Sequence, residues 1–345
     1  MKSREIHLRK RPAGIPTEDN FALVTVDLPA LQDGEVLVQN LWMSVDPYMR
    51  GRMDDIESYI PPFQLGEALD GDAVGRVIES KHSDYQVGDR VHHLKGWREY
   101  AICCGDGLDE VMHKPELTKI DTTAIPASAY LGVIGMPGRT AYAGLEYVAK
   151  ILPGETVYIS GAAGAVGSAA SQIAKLKGCR VVGSAGSNEK VDWLLNELGI
   201  DAAINYKTVD NIELAIAEAC PHGIDVYFEN VGGPQMDAVL NVMNDFGRIA
   251  LCGLISDYNT MESAVGPKNF AQILTKSLMV KGFIVTEFDA RAGEYEKQMA
   301  QWIAEGKIKW RETVLNGIES APQALIGLFK GTNCGKMLVK FSEET

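Results

Sequence analysis

No two cysteines in the sequence are spaced as CxxC, and the six that occur, at positions 103, 104, 179, 220, 252 and 334, are scattered over 345 residues. A chain of that length buries enough apolar surface to need no disulfide staples, so free thiols in a reducing compartment are expected. Positive charge is also scarce: 33 Lys and Arg stand against 46 Asp and Glu, a formal net charge of −13. That balance opposes the counterion release by which proteins hold nucleic acid, and anionic membranes repel it too. Neither partner is expected, and an anionic cofactor must find local positive charge. No uninterrupted apolar run approaches the ~18 residues needed to cross a bilayer. The opening MKSREIHLRKRPAG has no apolar stretch of the kind a secretory signal needs. A cytoplasmic protein is therefore expected. Internal repeats and low-complexity segments are missing as well.

What is present falls into two patterns, and the length suits two domains at ~150 residues each. Residues 1 to about 125 hold short β-rich runs such as Glu35–Gln39 and Asp72–Ile78, broken by Pro-Pro, Asp-Gly and Val-Gly-Asp turns. That is material for a barrel or sandwich. From about 126 to 304, strands alternate with helical segments, the signature of βαβ units and a parallel sheet. Strands are expected at Thr156–Ser160, Arg180–Gly183, Ala202–Asn205, Asp225–Asn230, Arg248–Gly253 and Val280–Val285. Six strands complete two mononucleotide-binding halves, the doubly wound α/β class. Helices are expected at Ala165–Leu176, Glu189–Leu198, Asn211–Ala219, Pro234–Met243 and Glu294–Gly306. The tail, Gly335–Phe341, reads as a further strand, and residues 305–345 are expected to complete the first domain.

The strongest local signal lies between the first of those strands and its helix, Gly161-Ala-Ala-Gly-Ala-Val-Gly167. Ala162-x-Gly164-x-x-Gly167 takes the place of the usual GxGxxG. Gly164, Ala165, Val166 and Gly167 let a pyrophosphate approach the backbone, and the helix N-terminus beyond them offers free N–H groups and a positive dipole end. An NAD enzyme usually places an acid ~20 residues further on, where it accepts from the ribose 2′-hydroxyl. Here the second strand runs into Val181-Val-Gly-Ser-Ala-Gly-Ser187 with no acid. Ser187 can donate a hydrogen bond and Lys190 can neutralise a phosphate, so NADPH is favoured as cofactor.

A zinc site needs three or four converging Cys, His or acidic ligands. Cys103 and Cys104 are adjacent, as are His92 and His93, so each pair diverges if it lies in a strand. No metal is expected, and any stabilisation of developing charge falls to hydrogen-bond donors.

Several stretches are jointly distinctive: Met43-Ser-Val-Asp-Pro-Tyr-Met-Arg-Gly-Arg-Met53, Gly135-Met-Pro-Gly-Arg-Thr-Ala-Tyr142, Tyr227-Phe-Glu-Asn-Val-Gly-Gly233, Cys252-Gly-Leu-Ile-Ser-Asp-Tyr-Asn259 and Gly282-Phe-Ile-Val285. With the glycine-rich turn, they resemble the zinc-free branch of the medium-chain dehydrogenase/reductase superfamily, which holds prostaglandin reductases, plant alkenal reductases and bacterial curcumin reductases. The resemblance implies a GroES-like β-barrel lobe, a Rossmann lobe, NADPH, a homodimer, and reduction of a carbon–carbon double bond conjugated to a carbonyl. It also implies that Tyr206 sits near the adenosine end. Asn230, the stretch from Cys252 and Gly253 through Ser256 to Tyr258, then Phe283, Ile284, Val285 and Asn333, line the rest of the cofactor by the same resemblance.

Hydride addition to the β-carbon of such an enone develops negative charge on the carbonyl oxygen, and donors aimed there lower the barrier. Tyr258 is the first candidate donor, because a phenol keeps its proton at neutral pH. Tyr48, after the Asp46-Pro47 turn, is the candidate from the first lobe for substrate positioning or proton delivery to the α-carbon. A tyrosine after a proline turn is as often a lid on the core. A quinone reductase on the same scaffold, or a non-catalytic NADPH-binding protein, are the alternatives.

Overall fold

The computed structural model describes residues 1–109, 114–260 and 266–343. In chain order its elements are β1 (Lys2–Leu8), β2 (Phe21–Asp27), β3 (Glu35–Ser44), α1 (Met49–Arg52), β4 (Ala73–Ser80), β5 (Arg90–His93), β6 (Tyr100–Cys104), β7 (Leu117–Lys119), α2 (Met136–Ala143), β8 (Thr156–Ile159), α3 (Ala165–Leu176), β9 (Arg180–Ala185), α4 (Asn188–Asn196), β10 (Ala202–Asn205), α5 (Ile212–Ala219) and β11 (Ile224–Glu229). There follow α6 (Gly233–Val242), β12 (Met243–Leu251), α7 (Ala271–Thr275), β13 (Met279–Gly282), α8 (Ala292–Ala304), β14 (Glu312–Asn316), α9 (Ala321–Lys330) and β15 (Lys336–Lys340).

The chain divides into two units. The first comprises Met1–Leu131, Glu312–Asn333 and the chain from Met337 onward, and the second Gly132–Arg311 with Cys334–Lys336. In the first unit the order β14-β15-β3-β4-β5-β7 forms one sheet, with β6 also paired to β3 and a separate hairpin of β1 and β2. β3 bonds antiparallel to β4, β6 and β15, which leaves almost all its residues buried and accounts for its apolar run Val36-Leu-Val38 and Leu41-Trp-Met43. Its core gathers Ile6, Leu8, Met43, Met49, Phe63 and Trp97 from the first hundred residues, and Leu325 and Val339 from the end of the chain.

The second unit is built on a six-stranded sheet of order β10-β9-β8-β11-β12-β13, and the neighbouring strands run parallel. Renumbered within the sheet this is 3-2-1-4-5-6, the doubly wound order whose direction of winding reverses between its first and fourth strands, β8 and β11. Strands covered on both faces carry no alternation, and all four residues of β8 are buried. Tyr158, Val182, Tyr227 and Ile249 meet Ile216 and Val239 in the core. Sequence expectation and structure differ at β13, which ends at Gly282 instead of Val285. The Ile284 N–H is taken by Glu287 Oε1 at 2.7 Å, and the chain leaves the sheet in a 3-10 turn, Val285–Arg291.

Candidate cofactor and active site

The C-terminal ends of β8 and β11 flank the reversal, where doubly wound sheets open a ligand crevice. Beyond β8 the chain turns at Gly161 (φ 58°), and Gly164 caps α3 with its N–H on the Gly161 carbonyl at 3.0 Å. Ala165, Val166 and Gly167 form the first turn of the helix, so their amides include donors with no partner inside it. A Cβ on Gly167 would lie 2.3 Å from the Gly161 carbonyl oxygen and 2.7 Å from Ala162 Cα, so the turn closes only on glycine. A Cβ on Gly164 would touch only that same oxygen, at 3.3 Å. Ala162, where GxGxxG carries its first glycine, is buried, and room for its methyl comes from β9: a Cβ on Gly183 would stand 2.6 Å from it. The turn is further tied by the Gly335 N–H to the Ala163 carbonyl at 2.8 Å.

At the end of β9, Ser187 is the N-cap of α4 and its Oγ accepts from the Lys190 N–H at 3.3 Å. Burial lowers the Lys190 pKa below the ordinary lysine value, and Lys207 nearby acts in the same direction. Tyr206 and Lys207 close over Gly186, whose Cβ would meet the Tyr206 hydroxyl at 2.8 Å and Lys207 Cε at 3.3 Å. Ser187, Lys190, Tyr206 and Lys207 thus gather at one sheet end with two cations. Lys207 went unnoticed in the sequence; its signal was a second lysine beside the tyrosine that closes β10.

Asn230 follows β11 directly. Its N–H bonds Ser160 Oγ and its Nδ2 the Ser160 carbonyl, both at 2.8 Å. The amides of Cys252 and Gly253 bond the Glu229 carbonyl at 2.9 and 3.1 Å, and Ser256 Oγ bonds the Val231 carbonyl at 2.6 Å. Burial pushes the Cys252 thiol up to about 12, so it stays protonated at neutral pH. Tyr258 folds back so that its hydroxyl accepts from the Leu254 N–H at 3.3 Å. Burial raises its pKa, and as acceptor in that bond the phenol keeps its own proton for another partner. The Phe283 ring is buried edge-on between Phe228 and Phe288, at 6.4 and 6.2 Å between centroids, and Ile284 and Val285 beyond it are partly exposed.

In the first unit Tyr48 precedes α1 and packs, half-buried, against the core. Burial drives its pKa well above that of a free phenol, and Asp72, Asp46 and Asp70 add to the effect. The Arg52 guanidinium pairs with Asp70 and lies 4.0 Å over the Phe63 ring. Asn333 belongs to this unit, just after α9. Cys103 is buried and Cys104 exposed, as neighbours in β6 must be. His93 points inward to Asn40 Oδ1 at 2.8 Å, while His92 turns to Asp72 Oδ1 at 2.7 Å. Among the described residues no three His, Cys, Asp or Glu side chains gather as a metal site.

Two family models match: an N-terminal domain of oxidoreductases over residues 4–111 and a zinc-binding dehydrogenase domain over 165–305. The NADPH-dependent curcumin reductase of Escherichia coli (strain K12) is 43% identical over 344 residues, covering 98% of this chain and 97% of its own. The chain belongs to the medium-chain dehydrogenase/reductase family. Another relative in this family, the NADP(+)-dependent 2-alkenal reductase of Nicotiana tabacum, is 42% identical over 348 residues, with coverage of 100% and 99%. The crystal structure of CurA from Vibrio vulnificus in complex with NADPH superposes with a TM-score of 0.91 at 42% identity, covering 99% of each chain. The family's two-domain plan, a Rossmann sheet domain and a GroES-like sheet domain, is the plan of the two units described above.

Proposed function

We propose that this chain is an NADPH-dependent reductase of carbon–carbon double bonds conjugated to a ketone or aldehyde, acting without a metal. The observation that carries the reading is the crevice of the second unit. A turn that closes only with glycine at position 167 opens onto free helix amides, with Lys190 and Lys207 at the sheet end where an NAD enzyme carries an acid. Those features fit a pyrophosphate and a 2′-phosphate. Gly164 to Gly167 would hold the first, Ser187 and Lys190 the second, and Tyr206 the adenosine end. Asn230, Cys252, Gly253, Ser256, Phe283, Ile284, Val285 and Asn333 are assigned to the remainder. The curcumin and alkenal reductases, and the NADPH complex of CurA, support both cofactor and substrate class.

When bound, the cofactor supplies a hydride to the β-carbon of the enone. Tyr258 donates its retained proton as a hydrogen bond to the carbonyl oxygen, where charge accumulates as the enolate forms. Tyr48 positions the substrate or returns a proton to the α-carbon, and its high pKa keeps that proton in place until the carbanion needs it. The chain acts as a homodimer: all four residues of β13 are exposed, and an unpaired parallel-sheet edge of this kind is suited to pairing with a second copy. Following NADPH oxidation against a panel of enones, quinones and simple aldehydes tests the assignment. Enones should turn over fastest; a preference for quinones, or no turnover of any of them, would overturn it.

A further inference from the structure

Directly under the crevice lies a carboxylate with no solvent contact. Glu229 is 0% exposed, and its two oxygens are surrounded by donors. Oε1 accepts from Ser160 Oγ at 2.6 Å, from the Val231 N–H at 2.5 Å and from the Gly232 N–H at 3.0 Å. Oε2 faces the Tyr227 hydroxyl. Ser160 is also 0% exposed and follows β8, so the Ser160–Glu229 bond spans the gap where the sheet reverses. The same serine holds Asn230 at both its N–H and its side-chain amide. Gly232 and Gly233 both take positive φ, at 82° and 57°, in the turn that Glu229 pins from below.

A buried carboxylate is costly unless its lone pairs are filled. Burial moves the Glu229 pKa up, against the pull of its four donors. Oε1 is saturated, so any proton that binds does so on Oε2, and each donor on the turn keeps its acceptor in either state. What matters is therefore the reach of the side chain, not its charge. A purely electrostatic role would show the reverse dependence.

We propose that Glu229 is a positioning residue for NADPH: acting through Ser160 and the Val231 and Gly232 amides, it fixes Asn230 and the glycine turn on the far wall of the crevice. The proposal rests on the NADPH reading above. Glu229→Asp keeps the charge and withdraws the oxygens by one methylene. Glu229→Gln keeps the reach, with its Oε1 on the turn and its NH2 donating to the Tyr227 oxygen. Fluorescence titration of NADPH against the full chain, with Tm measured in parallel, separates the two. Glu229→Asp should weaken binding about 10- to 100-fold, the size of two or three lost hydrogen bonds, and Glu229→Gln by less than about threefold. Ser160→Ala, which removes one link, should weaken it about fivefold. Its parent-like affinity would overturn the proposal even if Glu229→Asp does not fold. So would equal losses in the Asp and Gln variants, or a folded Glu229→Asp that binds like the parent. A parent chain that binds NADPH but reduces no enone sinks the reaction and leaves these affinities to decide this point.

Discussion

Gly164 and Gly167 lie three residues apart in one turn, and the geometry assigns their missing side chains to different purposes. A methyl on Gly167 would press to 2.3 Å of the Gly161 carbonyl oxygen and 2.7 Å of Ala162 Cα, both main-chain atoms that cannot swing away. Relieving that overlap means moving the start of α3 or the turn by roughly 1 Å, at the ~1–3 kcal/mol typical of overpacking. The better helix propensity of alanine returns at most ~1 kcal/mol. Because both atoms are main chain the upper part of that range applies, ~1–2 kcal/mol remains, and Gly167→Ala should melt about 2–8 °C lower, at about 2–4 °C per kcal/mol for a domain of this size. A methyl on Gly164 meets only one atom at 3.3 Å, on a backbone with φ −84° that any residue adopts. Gly164→Ala should keep the parent Tm and lose NADPH affinity, because its methyl occupies the space into which the pyrophosphate must come. Scanning calorimetry on both apo proteins and NADPH titration of both give four numbers. Parent stability in Gly167→Ala, or parent affinity in Gly164→Ala, refutes the reasoning.

Tyr258→Phe deletes one hydroxyl and keeps the ring; kcat for an enone should fall ~10²–10³-fold with NADPH binding unchanged, and a parent rate would make Tyr258 a wall. Lys190→Ala should raise the NADPH KM by ~1.5–3 kcal/mol in free energy and leave NADH little affected, as the ratio of the two KM values will reveal. Exhaustive chelation should leave activity intact; loss of activity together with one tightly held metal per chain would contradict the metal-free mechanism. His93 is buried and its pKa lies well below 6.5 because burial disfavours the cation. Below pH 6.5 the unfolded chain takes up a proton there that the folded one does not, so stability should fall with acidification through that value. His93→Gln should flatten this part of the pH–stability curve.

The architecture of the second unit was legible because its strands are buried on both faces and separated by capped helices, so apolar runs and caps such as Ser187 and Asn211 fall where the elements begin. The glycine turn was legible from its composition: five small residues in a row, Gly161 to Ala165, between a strand and a helix fit close approach of main chain. Glu229 was not. In the sequence it is one acid at the end of an apolar strand, and nothing local reveals that Ser160, from another strand, meets it. Lys207 stayed hidden in the same way, because its place beside Lys190 depends on β10 lying next to β9. The early end of β13 depended on Glu287 reaching back to Ile284, a side-chain bond that strand propensity does not encode.

The bond from the Gly335 N–H to the Ala163 carbonyl ties the glycine turn to a residue well beyond the last strand of its sheet. Gly335 can sit there only as glycine, with φ 72° and the Arg311 carbonyl oxygen 1.9 Å from where a Cβ would be. During synthesis the six strands of the sheet leave the ribosome well before this residue, and domains fold as they emerge. The sheet can therefore assemble while its glycine turn still lacks this bond. The contact from Gly335 is thus added to a sheet that has already folded, and completing the turn is an event separate from folding of the sheet.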